Sequence, residues 1–295
     1  MPLMLTLDYL EMPITHICSL HCDGCSAYSN YNIKRTVPLA EARAWMRAWS
    51  ARVAPGEFRV LGGEPFLHPQ LPEIILSARQ FWPEAHIQLC TNGLNLDRHK
   101  LVAPIMALPN MSIHVSVHSN DEAYQARLRK GMATLARWMG EYGLRVQAGD
   151  NTVFWNRFYK GIGKTMQPFE GQKLQSWKVC HSKRCCNLVD NRLWKCPQIG
   201  NLHLVAERFE LNKNPAWDKY LAYPGIGLEA SDDELAAWLR ARNGPEAICE
   251  MCPTTLEHYE KDIYNVKYDL PGVERVAKGY LEKHETADQD FEGVN

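Results

Sequence analysis

The sequence has 295 residues, of which 45% are hydrophobic and 23% charged, with 33 basic against 34 acidic side chains. That composition suits one large α/β domain, alone or with a small appendage. A net charge of −1 forces no electropositive surface, so no nucleic-acid partner is expected. No stretch has the length and apolarity that a bilayer span needs, so no membrane partner is expected either. Met1-Pro2-Leu3-Met4-Leu5-Thr6-Leu7-Asp8 lacks a basic stretch followed by an apolar run. The expectation is therefore a cytoplasmic chain without a signal peptide. Ten cysteines is a high count for a reducing compartment, and points to metal or redox chemistry rather than structural disulfides.

In chain order, residues 5–14 read as a first strand, directly followed by a cysteine-bearing loop. Residues 39–53 carry Ala42, Trp45, Met46, Trp49 and Val53 at helical spacing behind Pro38. Residues 57–61 form a short second strand closed by Gly62-Gly63. Leu71, Ile74, Ile75, Ala78 and Trp82 mark a second helix. A third strand over 86–90 ends in the turn signal Thr91-Asn92-Gly93. Ile113, Val115 and Val117 alternate with polar residues in a fourth strand over 111–118. A helix over 121–142 and a fifth strand over 144–148 follow. Regular alternation of strand and helix predicts a parallel α/β sheet or partial barrel, with its chemistry on loops at the C-terminal strand ends. Residues 160–176, rich in Gly, Lys and Gln, read as a linker. Residues 186–196 read as a hairpin turning at Asp190-Asn191, 232–242 as a helix, and the tail from 284 as frayed.

Three signals carry chemistry. Cys18, Cys22 and Cys25 sit on one loop after the first strand, and three thiolates so placed can hold three irons of a [4Fe–4S] cube, leaving the fourth open. Gly62-Gly63-Glu64-Pro65 lies at the end of the second strand, where glycine permits close backbone approach. Six further cysteines (Cys180, Cys185, Cys186, Cys196, Cys249 and Cys252) fall between residues 180 and 252.

The first two motifs resemble the radical S-adenosylmethionine (radical SAM) superfamily, whose cysteine loop has this spacing after a first strand and whose Gly-Gly-Glu-Pro turn follows one strand later. Gly24 stands where that family usually has an aromatic residue. The resemblance implies a SAM-binding [4Fe–4S] cluster on Cys18, Cys22 and Cys25. It implies a SAM site that includes Gly62, Gly63, Glu64, Pro65 and Asn92, with Ser116 and His118 reaching the ribose; an ordinary strand-end histidine is an equal reading of His118. The later cysteines follow the order found in SPASM and twitch extensions, which bind auxiliary clusters. The set Cys180, Cys196, Cys249 and Cys252 is expected to hold one, with Cys185 an alternative to Cys180. If Asp190-Asn191 is a two-residue turn, Cys185 lies across from Cys196. Cys185 and Cys186 are candidate hydrogen-atom donors. A structural zinc on the same late cysteines is the plain alternative.

The expected architecture is thus a partial (β/α)6-type parallel barrel over residues 1–160, reaching to about 178 on its widest reading. A small cysteine-rich twitch/SPASM-like domain would span 178–260, and a C-terminal helix and frayed tail 261–295. The resemblance implies reductive cleavage of SAM to methionine and a 5′-deoxyadenosyl radical, with flavodoxin or ferredoxin as electron donor. The substrate is expected to be small and polar, carbohydrate- or aminocyclitol-like, and its radical would be either oxidised or epimerised. A cysteine loop this early in the sequence leaves no room for a preceding peptide-recognition domain, which favours a small molecule. A maturase of peptide or protein side chains is the nearest rival, and a zinc-stabilised binding module without catalysis is the rival of another class. Trp155, Arg157, Tyr159, Trp177 and Trp194 form an aromatic-rich set that is given no role.

Overall fold

The computed structural model describes residues 4–150, 157–255 and 263. Its centre is an open seven-stranded sheet in the order β5-β4-β3-β2-β1-β6-β7. The first five strands are β1 (Leu5–Pro13), β2 (Val53–Leu61), β3 (His86–Thr91), β4 (Met111–Val117) and β5 (Val146–Asp150), and they run parallel. Between them lie α1 (Leu39–Ser50), α2 (Leu71–Phe81), α3 (Val102–Met106) and α4 (Glu122–Tyr142).

Each helix forms for a local reason. In α1, Ala42, Trp45, Met46 and Trp49 make one buried face, the periodicity that seats a helix on a sheet. α4 starts where the Asp121 side chain accepts from the Tyr124 N–H at 2.8 Å and stops at Gly143 with φ 70°, the left-handed C-terminal position glycine takes without strain.

Strand register sorts the side chains by polarity. Leu10, Phe58, Ile87 and Met111 align across β1 to β4, and all four are buried in the apolar core beneath the helices. One residue along, Asn187, Glu11, Arg59, Gln88 and Ser112 align in the same way. Successive strand residues point to opposite faces, so the second row faces away from the helices and gives the sheet a polar face.

The predicted hairpin forms as β6 (Cys186–Val189) and β7 (Arg192–Trp194). Asp190 and Asn191 both hold positive φ (51° and 58°), as a two-residue hairpin turn requires. β6 joins the parallel sheet beside β1, through Leu10↔Cys186 and Glu11↔Asn187. The hairpin therefore extends the core sheet, and the sixth parallel strand lies next to β1 rather than beyond β5.

The expected linker over 160–176 is ordered and leads into α5 (Lys173–Val179). It clasps the last cysteine turn: the Phe169 N–H donates to the Met251 carbonyl at 2.9 Å and the Gly171 N–H to the Glu250 carbonyl at 2.8 Å. Helices α6 (Pro197–Gly200), α7 (Leu202–Phe209), α8 (Asp218–Leu221) and α9 (Asp232–Ala241) complete the described chain. A second apolar cluster unites Tyr28 and Tyr31, just after the cysteine loop, with Phe158, Tyr159, Trp217 and Met251. The tail expected over 261–295 lies outside the described residues, except Ile263, and so does Trp155. Among the described residues, no helix is long and apolar enough to cross a membrane.

Candidate active site

Beyond β1 the chain folds back on the end of β2. The Gly63 N–H donates to the Thr15 carbonyl at 2.6 Å, and the Glu64 N–H to the Ile17 carbonyl at 2.8 Å. A Cβ on Gly62 would lie 2.3 Å from the Thr15 oxygen, and one on Gly63 would lie 2.4 Å from the Ile17 oxygen. The two glycines are therefore fixed by the approach of the chain to its own cysteine loop. Within that loop Gly24 has φ 67°, a left-handed conformation that an aromatic residue would adopt only with strain. This is a local reason for glycine before the third cysteine.

Cys18, Cys22 and Cys25 line one cavity of about 350 Å³, together with Gly62, Gly63, Asn92, Ser116 and His118. Eight of the ten residues assigned to the cluster loop and SAM site thus meet in one space, and only Glu64 and Pro65 fall outside the lining. Pro65 starts a short 3-10 turn. Glu64 has no exposed surface; its carboxylate accepts from the Phe66 N–H at 3.0 Å, the Thr91 hydroxyl at 2.7 Å and the Asn92 N–H at 2.8 Å. The Glu64 side chain thus locks the second strand-end turn to the third. Burial pushes its carboxyl up to about 7 against the lowering effect of those three donors.

Two N–H groups point at the first thiol. The Leu20 N–H lies 3.4 Å from Cys18 Sγ and the Asn92 amide 3.8 Å from it. Burial holds the Cys18 thiol well above its ordinary range, and Cys22 and Glu64 push it further. Thiols in this state ionise when a metal supplies compensating charge, so metal binding releases protons here.

Cys180, Cys196, Cys249 and Cys252 line a second, smaller cavity with Trp177 and Lys195. Burial raises Cys196 to about 12, with Cys180 and Cys249 adding to the rise, and it raises Cys252, where all three other thiols contribute. The four thiols therefore share one neighbourhood. Cys185, weighed as a substitute for Cys180, lines the large cavity instead. Among the described residues, no three His, Cys, Asp or Glu side chains converge on a single-ion position. The cavity that the four thiols line measures about 20 Å³, close to the room one water molecule needs. Cys186, the other candidate hydrogen-atom donor, is fully buried in the main apolar core and does not line the large cavity.

Sequence reasoning missed the polar end of the large cavity, where Glu11, Arg59, Cys90, His114 and Asn187 join Cys185 in the wall. Arg59 Nη1 lies 3.6 Å from Glu11 Oε1, and Asn187 Nδ2 donates to Glu11 Oε2 at 3.0 Å. Burial raises the Glu11 carboxyl; Arg59, Cys185 and Asn187 act to lower it. The signal was present as polar residues at alternate strand positions, which sequence alone reads as a solvent face.

A model of the radical SAM superfamily matches residues 12–151. Among curated proteins, the GTP 3',8-cyclase of Chlorobaculum tepidum is 30% identical over 93 residues, 32% of this chain and 28% of that protein. The GTP 3',8-cyclase of Psychromonas ingrahamii is 30% identical over 148 residues, 50% of this chain and 42% of that protein. The chain thus spans less than half the length of these relatives. Among solved structures, BtrN in complex with AdoMet and 2-DOIA aligns with a TM-score of 0.44 and 14% identity, covering 88% of this chain and 98% of that one. Streptococcus suis SuiB bound to S-adenosylmethionine aligns with a TM-score of 0.40 and 19% identity, covering 50% and 34%.

Proposed function

We propose, for a chain that belongs to the radical SAM superfamily through its domain at residues 12–151, that the large cavity is an active site for hydrogen-atom abstraction from a small polar molecule. Radical SAM proteins use S-adenosylmethionine and a [4Fe–4S] cluster, which together supply a one-electron cleavage whose product takes hydrogen from an unactivated carbon. The observation that carries the reading is the common wall: Cys18, Cys22 and Cys25, the glycine pair, and the polar strand ends at Asn92, Ser116 and His118 all face one space.

In this reading the three thiols hold the SAM-binding cluster. The donor set fits: all ten cysteines are free of disulfides, and N–H groups at Leu20 and Asn92 offer hydrogen bonds to Cys18 sulfur, bonds of the kind that tune iron–sulfur sites. Gly62 and Gly63 leave backbone bare for the SAM amino group, while Ser116 and His118 offer polar atoms to its ribose. Cys180, Cys196, Cys249 and Cys252 are assigned to an auxiliary cluster in a twitch/SPASM-like region over 178–260. A flavodoxin or ferredoxin is the proposed electron donor.

Cys185 is the proposed hydrogen-atom donor to a substrate radical. Cys185 is in the cavity wall next to Glu11, within reach of a molecule bound there. The curated relatives named GTP 3',8-cyclase match over less than half of their length, so their nucleotide substrate is not carried over. The test is anaerobic reconstitution with iron and sulfide, followed by reduction in the presence of SAM. Release of methionine and 5′-deoxyadenosine supports the reading. Iron incorporation without any cleavage of SAM contradicts it.

A further inference from the structure

The polar end of the large cavity carries an unmet demand. Asn187 has no exposed surface, lines the cavity, and its Oδ1 has no hydrogen-bond partner. The amide cannot be turned round to remove the problem. Its Nδ2 donates to Glu11 Oε2 at 3.0 Å and lies 3.4 Å from the Cys185 carbonyl, and reversing it would set oxygen against two acceptors. The free oxygen is thus fixed as an acceptor. Glu11, itself 5% exposed, adds a carboxylate whose other charged neighbour is Arg59 at 3.6 Å.

Two more buried atoms on the same cavity wall lack partners, Ser29 Oγ and Asn30 Oδ1. Two amide oxygens, a carboxylate and a hydroxyl give a surface that chiefly accepts hydrogen bonds. Buried acceptors without donors are costly and are found where a ligand or water completes them. Arg59 also lines this wall, but its charge is offset by the Glu57 and Glu11 carboxylates, both within ion-pair distance.

We propose that Glu11 and Asn187 form the recognition subsite for a hydroxyl or ammonium group of the substrate, a neutral polyol or aminated polyol rather than a carboxylate, phosphate or peptide. The donor binds Asn187 Oδ1 and the Glu11 carboxylate together, and Cys185 lies beside the carbon that bears it. This deepens the active-site reading above and rests on it for the identity of the cavity.

The test measures binding rather than turnover, using the anaerobically reconstituted full chain with SAM present. The probes are myo-inositol, 2-deoxystreptamine, myo-inositol 1-phosphate and an alanyl tripeptide, titrated by calorimetry into wild type, Asn187→Leu and the isosteric Glu11→Gln. Wild type is expected to bind myo-inositol or 2-deoxystreptamine more tightly than the phosphate or peptide. Asn187→Leu is expected to weaken that probe at least tenfold, and Glu11→Gln to weaken 2-deoxystreptamine at least tenfold but myo-inositol less than threefold. SAM binding should stay within twofold throughout, which reports that the variants are folded. No binding of either donor-rich probe to wild type, preference for the phosphate or the peptide, or unchanged affinity of Glu11→Gln for 2-deoxystreptamine would overturn the subsite. Failure of the active-site reading would appear separately, as SAM that is never cleaved.

Discussion

The Tyr28 hydroxyl donates to the Gln198 carbonyl at 3.1 Å, and so joins the loop that carries Cys25 to the turn that carries Cys196. The Tyr28 N–H donates back to the Cys25 carbonyl at 3.0 Å, and its ring stacks on Tyr159 with centroids 5.8 Å apart. Tyr28 also holds a left-handed φ of 55°, which a bulky residue keeps only where its surroundings over-determine it. Tyr28→Phe keeps the ring and leaves the buried Gln198 carbonyl without its donor. It should lower stability by about 1–2 kcal/mol, read as a lower midpoint in thermal or denaturant unfolding. An unchanged midpoint would show that this bond contributes nothing.

Gly62 and Gly63 make a sharper case. A methyl group at either position meets a backbone oxygen at 2.3 or 2.4 Å, and backbone cannot move aside as a flexible side chain does. Gly63→Ala should cost about 3 kcal/mol, the upper end for overpacking, and displace the cysteine loop. Reduced iron incorporation together with the stability loss is the expected result; wild-type behaviour would contradict the close approach.

Glu64→Gln tests the link between the two strand-end turns. The new amide can replace only one carboxylate oxygen as acceptor, and its NH2 group faces an N–H or hydroxyl donor. A loss of about 1–3 kcal/mol is expected for the buried donor left unmatched, with the β2–β3 end becoming less protected in hydrogen exchange.

The hairpin turn supplies a pH dependence. Burial alone would raise the Asp190 carboxyl, but hydrogen bonds from His203 and Arg35 outweigh it and hold the group at about 2, against an ordinary 3.8. A depressed folded-state value means the stabilisation is complete above pH 3.8 and is lost as pH falls through about 2. The side chain is 38% exposed, so solvent screening limits the effect to below about 1 kcal/mol. Asp190→Asn should show a shallower acid limb between these two pH values in unfolding experiments.

Much of this architecture is legible in the sequence because its causes are local. Trp45, Met46 and Trp49 mark α1 by spacing, Thr91-Asn92-Gly93 marks the end of β3, and Asp190-Asn191 fixes the hairpin. The cysteine loop and the glycine pair are legible as motifs, although the pair meets its steric partners at Thr15 and Ile17, which no spacing discloses. What stays hidden depends on tertiary placement. Glu11, Arg59 and Asn187 alternate with apolar neighbours as on any half-exposed strand, and only the chain around Cys18–Asn30 and Cys185 makes that face the wall of a cavity. The ordering of residues 160–176 comes from contacts with Glu250, Met251 and Cys252, far along the chain. Cys185 and Cys196 are register partners in the hairpin pattern, yet the ladder ends before them, and one faces the large cavity while the other faces the small one.

The most direct test counts iron per chain after anaerobic reconstitution in wild type, in a Cys18/Cys22/Cys25→Ala variant and in a Cys180/Cys196/Cys249/Cys252→Ala variant, alongside SAM cleavage. Two four-iron sites predict about eight irons in wild type and about four in each variant, with cleavage lost in the first. Iron that disappears entirely in the first variant, or zinc in place of iron in wild type, would contradict the account.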